Sequence, residues 1–186
     1  MTAPTIPTPA PAGNTRSRNL NTYLLIALVV ALVVSPLFWL KSSPGQARAA
    51  AFRQRASRLG LRVRLVPAPD AAEDDKRPSA TLYLWPLPPQ DTERLAAALG
   101  QWTLLRGTRN GRLSPWPEWR WFRSDAPGAV LPHLETLLPA LPANVYALKA
   151  DHAGVGAYLR ESGDISALDV LARALEDFEQ SLGNAL

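Results

Sequence analysis

YLLIALVVALVVSPLFWL, residues 23–40, holds no charged side chain, and its only polar groups are Tyr23, Ser35 and the indole of Trp39. At helical rise such a run spans about 27 Å, close to the ~30 Å hydrocarbon thickness of a bilayer. In hydrocarbon every backbone N–H and C=O must be satisfied within the segment, and a helix does that. Asn21 and Thr22 stand where they cap its start, and Tyr23 and Phe38–Trp39 sit where amphipathic rings favour the headgroup level. Pro36 removes one backbone donor and predicts a bend rather than a break. The stretch therefore predicts a transmembrane helix. Ala47-Arg48-Ala49 resembles a signal-peptidase site, but the apolar run exceeds the roughly 7–15 residues of a secretory signal, so an uncleaved anchor is expected.

Working outward, residues 1–22 alternate Pro4, Pro7, Pro9 and Pro11 with Thr and Ala, which predicts an extended, disordered tail with nothing to bury. On the other side, residues 41–60 predict a basic juxtamembrane helix or linker. Gln46 to Leu59 is rich in alanine and lacks β-branched residues, and Gly60 ends it. Lys41, Arg48, Arg53, Arg55 and Arg58 are candidate contacts to anionic lipid headgroups.

Charge is distributed unevenly. Residues 1–40 carry +2, residues 41–66 carry +7 and residues 67–186 carry −5, which gives the net +4 of the chain. The basic character is thus a collar beside the membrane rather than a patch on the distal domain, and no nucleic-acid partner is expected. Basic loops are retained in the cytoplasm, so the bias places the C-terminal domain inside and the tail, with only Arg16 and Arg18, outside. The alternative is a signal anchor with the domain on the envelope side. Zero cysteine excludes disulfides, thiolate metal sites and a cysteine nucleophile.

Residues 61–186 predict a soluble α+β domain with a mainly antiparallel sheet and packed helices. Leu61 to Val66 alternates apolar and charged residues, the period of a half-buried strand. An acidic loop follows, with Asp70, Glu73, Asp74 and Asp75 at spacings that fit no EF-hand. Further strands are expected at Thr81 to Trp85, Gln101 to Arg106 and Glu118 to Arg123, with a turn at Asn110-Gly111 where both residues tolerate positive φ. Asp91 is expected to cap a short helix through Leu99, and Leu131 to Leu138 a second one closed by Pro139. Val145 to Lys149 and Val155 to Glu161 read as a hairpin. Leu168, Leu171, Leu175, Phe178 and Leu182 recur at spacings of 3, 4, 3 and 4, one apolar stripe of a closing amphipathic helix. Ser166 to Asp169 resembles a capping box, and Asp169–Arg173 and Arg173–Asp177 are i,i+4 pairs.

Two constellations invite a functional reading. Trp119 and Trp121 share one face of a strand, and with Trp116 they are candidate partner contacts, or large rings filling a thin core. His133 and His152 are the only histidines, and neither has the neighbours a metal or acid–base site needs. No cofactor motif or enzymatic fingerprint is present, so neither a cofactor nor catalysis is expected.

The span ending SPLFWL, the basic segment FRQRASRLGLRVRL and the stretch LPANVYALKADHAGVGAYLRESGDISALDVLARAL together resemble a group of uncharacterised single-span proteins of Gram-negative bacteria. Some of these are labelled by homology as a preprotein translocase accessory subunit. The resemblance covers roughly residues 23–175 and implies a bacterial inner-membrane location; it carries no catalytic residues. The expectation is an accessory or scaffold protein that contacts the bilayer and other membrane proteins, with an envelope-side binding module as the alternative.

Overall fold

In the computed structural model, residues 23, 25–26, 28–31, 44–72, 75–76 and 78–186 are described. The chain divides into two units, Met1–Pro44 and Gly45–Leu186. Of the expected span, Tyr23, Leu25, Ile26 and residues 28–31 are described, and they are helical and exposed. The rest of it, Lys41 and the N-terminal tail lie outside the described residues. No helix among the described residues is long and apolar enough to cross a membrane.

Helix α1 is Pro44–Arg58, and its residues from Gly45 onward belong to the second unit. Phe52 and Ala56, one helical turn apart, are buried in the main core, so this helix is part of the domain rather than a linker outside it. It ends in a Schellman motif. The N–H of Leu61 reaches the Ala56 carbonyl at 3.0 Å, that of Gly60 reaches Ser57 at 3.3 Å, and Gly60 takes φ +84°. Leu61 then packs in the same core as Ala56, which fixes the direction in which the next strand leaves.

Seven strands follow: β1 (Arg62–Val66), β2 (Ala80–Pro86), β3 (Trp102–Arg106), β4 (Arg112–Leu113), β5 (Trp119–Trp121), β6 (Val145–Asp151) and β7 (Gly154–Leu159). They form one antiparallel sheet in the order β1-β2-β7-β6-β3-β5-β4. This is the expected α+β class with an antiparallel sheet. The β3–β5 pairing and the β6–β7 hairpin match the sequence reading. Strand β4 was not foreseen: it is two residues long, too short for periodicity to show, and exists by pairing Arg112 with Trp121 and Leu113 with Arg120. In the turn before it, Gly111 takes φ +100° while Asn110 does not use a positive φ.

Helices α2 (Thr92–Leu99), α3 (Leu131–Ala140) and α4 (Ala167–Ala185) join α1 in covering one face of the sheet. All five stripe residues of α4, from Leu168 to Leu182, are buried, as their spacing requires. Helix α3 runs past Leu138 and through Pro139, so that proline sits in the last turn instead of closing the helix before it.

The expected caps form differently. Asp91 occupies the N-cap position of α2 without a side-chain cap, and its carboxylate pairs with Arg94 at 3.3 Å. At α4, Ser166 is already helical in φ and ψ and its hydroxyl donates to Asp164 Oδ2 at 2.6 Å, so no capping box closes. Asp164 Oδ1 accepts the Ser166 N–H at 3.1 Å, and Asp169 is engaged by Arg55 of α1. The opposite sheet face carries a smaller cluster, Ala80, Leu82, Leu105, Ala147 and Tyr158, with Val66, Phe122 and Tyr146 against it.

Candidate functional site

The tryptophans are placed by strand geometry. Trp119 and Trp121 alternate inward on β5 and are each 4% exposed, within the main core. They offer no ring to a partner, which corrects the contact reading for both. The reason is that β5 lies inside the sheet between β3 and β4, with its inward face toward the helices. Trp102 is fully enclosed and donates its indole N–H to the Leu99 carbonyl at 3.1 Å. Its ring meets Trp121 edge-to-face at 6.0 Å, and Trp121 meets Trp116 at 6.1 Å. Each such contact contributes about 0.5–1.5 kcal/mol beyond its buried area. Trp116 is half-buried at the rim of this trio, the one of the three candidate contacts that keeps some ring surface.

The basic side chains of α1 divide. Arg48 donates to the carbonyl of Gly163, and Arg55 donates to both oxygens of Asp169, so these two tie α1 to the β7–α4 corner of the domain. The Asp169 bond and charge hold the Arg55 guanidinium above its ordinary range. Arg53 and Arg58 are exposed, as are Arg62 and Arg64 on the edge strand β1. Both edge strands of the sheet also carry an exposed leucine, Leu65 at 60% and Leu113 at 77%.

His133 lies between α3 and α4, with Nδ1 against the Ser181 hydroxyl and its ring edge-on to Phe178 at 6.4 Å. His152 is exposed in the β6–β7 turn. Among the described residues no three His, Asp or Glu side chains gather as metal ligands.

A site that sequence reading missed lies on the second face of the sheet. The loop between β1 and β2 folds back over that face, and Arg123 Nη2 donates to the Ala71 carbonyl at 2.8 Å across 52 residues. Between loop and sheet is a cleft of about 360 Å³. Its floor is a row across three strands. Thr103 of β3 pairs with Lys149 of β6, and the Thr103 carbonyl accepts the Phe122 N–H at 2.9 Å just beyond β5. Pro67, Pro69, Ala71 and Ala72 wall it from the loop side.

Arg123 is the only non-glycine residue with positive φ, at +67°, among the described residues. The Ser124 N–H returns to the Phe122 carbonyl at 2.9 Å, so Arg123 is the centre of a γ-turn of the rarer, strained hand. Arg112 holds that turn by donating to the Arg123 carbonyl at 3.1 Å and to Asp125 at 2.7 Å. Tyr158 closes the far wall. Burial first, then the fields of Tyr146 and Asp151, push its phenol up to about 12, so it is a neutral hydroxyl at any physiological pH. No local motif marks this cleft, because its parts come from five separate stretches of chain.

The fold and its clefts define an α+β domain with a seven-stranded antiparallel sheet, helices on one face and a loop-covered cleft on the other. No protein-family model matches the chain, and no significant match is found among curated proteins or among solved structures.

Proposed function

We propose that this is a single-pass protein of the bacterial inner membrane, anchored by residues 23–40, whose α+β domain acts from the cytoplasmic side as a non-enzymatic accessory or scaffold for other membrane proteins. One observation carries the anchor. Tyr23, Leu25, Ile26, Leu28, Val29 and Val30 are helical yet between 53% and 71% exposed. A charge-free helical surface of that kind suits hydrocarbon, where its backbone is satisfied internally and its side chains need no water. The likeness of its segments to single-span Gram-negative proteins points the same way.

The cytoplasmic side is favoured by the +7 collar over residues 41–66. Partner contact is supported by the two sheet edges, each bearing an exposed leucine beside arginine, and by the rim of Trp116. Anionic headgroups are met by Lys41, Arg53 and Arg58 rather than by Arg48 and Arg55, whose guanidinium groups already serve the domain.

Extraction of membranes in alkaline carbonate tests the anchor: the chain is expected to stay with the lipid, and release into the supernatant overturns the proposal. A C-terminal reporter active on only one side of the membrane tests sidedness. Activity outside would replace the scaffold reading with the envelope-side binding module.

A further inference from the structure

We propose that the cleft between residues 67–72 and 75–76 and the second face of the sheet binds a small molecule through an oxyanion group, a phosphate ester or carboxylate held by Lys149 and Arg123. Three independent features converge there. The first is charge. Of the described residues lining the cleft, Lys76, Arg123 and Lys149 are cations and Asp75 is the one carboxylate. Lys149 Nζ stands 3.9 Å from Asp151 Oδ2, at the outer limit of an ion pair and beyond hydrogen-bond length. Arg123 gives Nη2 to a neutral acceptor, the Ala71 carbonyl.

The second is strain. Placing a long cationic side chain at the centre of a positive-φ turn costs free energy that glycine would avoid, and such positions concentrate at binding sites. Here Arg112 and Asp125 hold the turn in place, and the guanidinium lies over the ring of Phe122, 5.4 Å from its centroid. The third is the set of neutral hydrogen-bonding groups. Thr103, Ser124, Gln101 and the protonated Tyr158 line the same space, while prolines and alanines of the loop supply apolar walls. Two cations, hydroxyl and amide groups, and apolar prolines and alanines around one space match a compact, oxygen-rich anion.

The test is equilibrium dialysis of the full chain in nanodiscs of phosphatidylcholine, with radiolabelled inorganic phosphate and, separately, citrate. Saturable binding of at least one probe is expected. Lys149→Gln and Arg123→Gly are each expected to weaken it by about tenfold or more, since each removes a charge-assisted bond. Arg123→Gly relieves the turn but also removes the bond to the Ala71 carbonyl, so Lys149→Gln, which leaves that bond in place, is the variant that separates loss of the anion contact from loss of the loop. Arg173→Gln, an exposed position on α4 outside the cleft, is expected to change nothing. Absence of saturable binding below roughly 10 mM, or equal binding by the wild type and both cleft variants, overturns the proposal. Repeating the dialysis in phosphatidylglycerol nanodiscs identifies the source of the group. Loss of probe binding there assigns the cleft to a lipid headgroup phosphate, and unchanged binding assigns it to a soluble molecule.

Discussion

Arg55 of α1 and Asp169 in the first turn of α4 meet across 114 residues of sequence, with Nε 3.3 Å from Oδ2 and Nη2 bonded to Oδ1. The carboxylate lies near a helix N-terminus, where negative charge is favoured, and the guanidinium fork matches its two oxygens. Arg55→Gln and Asp169→Asn are each expected to lower the urea midpoint of unfolding, and the double variant to be no worse than the poorer single one. The wild-type advantage should shrink in high salt, because the pair is partly exposed. Fully additive losses in the double variant would show that the two residues act separately.

The tryptophan trio separates core from rim. Trp121→Ala should cost about 3–5 kcal/mol, as expected for removing a buried aromatic ring that packs on two others. Trp116→Ala, at the half-buried edge, should cost nearer 1 kcal/mol, the scale of one edge-to-face contact. Chemical denaturation followed by far-UV circular dichroism distinguishes them, and equal losses would contradict the placement of the rings.

Gly154 opens β7 at φ +142°, and a Cβ built on it would stand 2.1 Å from the Trp85 carbonyl oxygen. Gly154→Ala should therefore destabilise by more than about 2 kcal/mol, combining an unfavourable backbone conformation with a clash against the neighbouring strand. Gly128→Ala is the matched control. Nothing lies within 4 Å of its Cβ position, and its effect should be within about 0.5 kcal/mol of zero. Thermal unfolding of the two variants side by side gives the comparison.

Alkaline pH should unfold the domain through its tyrosines. Burial, ahead of the Glu161 bond, raises the Tyr83 phenol, and burial raises Tyr158 to about 12, from an ordinary 10.0 in the unfolded chain. Above pH 10 the unfolded chain binds fewer protons than the folded one, so stability falls as pH rises. The contribution is fully present below pH 10 and is lost on the way to about 12. Phenolate absorbance from Tyr83 and Tyr158 should emerge together with the loss of circular dichroism. Phenolate formation by both residues near pH 10 in a still-folded domain would refute their burial.

Local periodicity carried most of the fold. The stripe from Leu168 to Leu182 and the alternation in Leu61 to Val66 are patterns of adjacent residues, and both became the elements they describe. What escaped depends on distant chain. Asp169 belonged on paper to a capping box and to Arg173, yet Arg55 takes it, a choice that only tertiary packing makes. Phe52 and Ala56 looked like incidental apolar residues in a basic connector until the sheet supplied a surface for them. The expected anchor falls mostly outside the described residues. The cleft was invisible for the same reason as the Arg55 pair: Arg123 and Ala71 are neighbours only after β1 and β5 have joined one sheet.

The strand order has a consequence for synthesis. β2 pairs with β7 and β3 with β6, so the inner seam of the sheet is supplied by the last strands to leave the ribosome. Chains emerge N-terminus first, and contacts of such long separation form slowly. A nascent chain paused before residue 145 therefore holds β1–β2 and β3–β5 as two unmatched ribbons with their apolar sides bare, and only the late hairpin stitches them together. Translational stalling in that interval is when this protein should be most vulnerable to proteases and most dependent on chaperones.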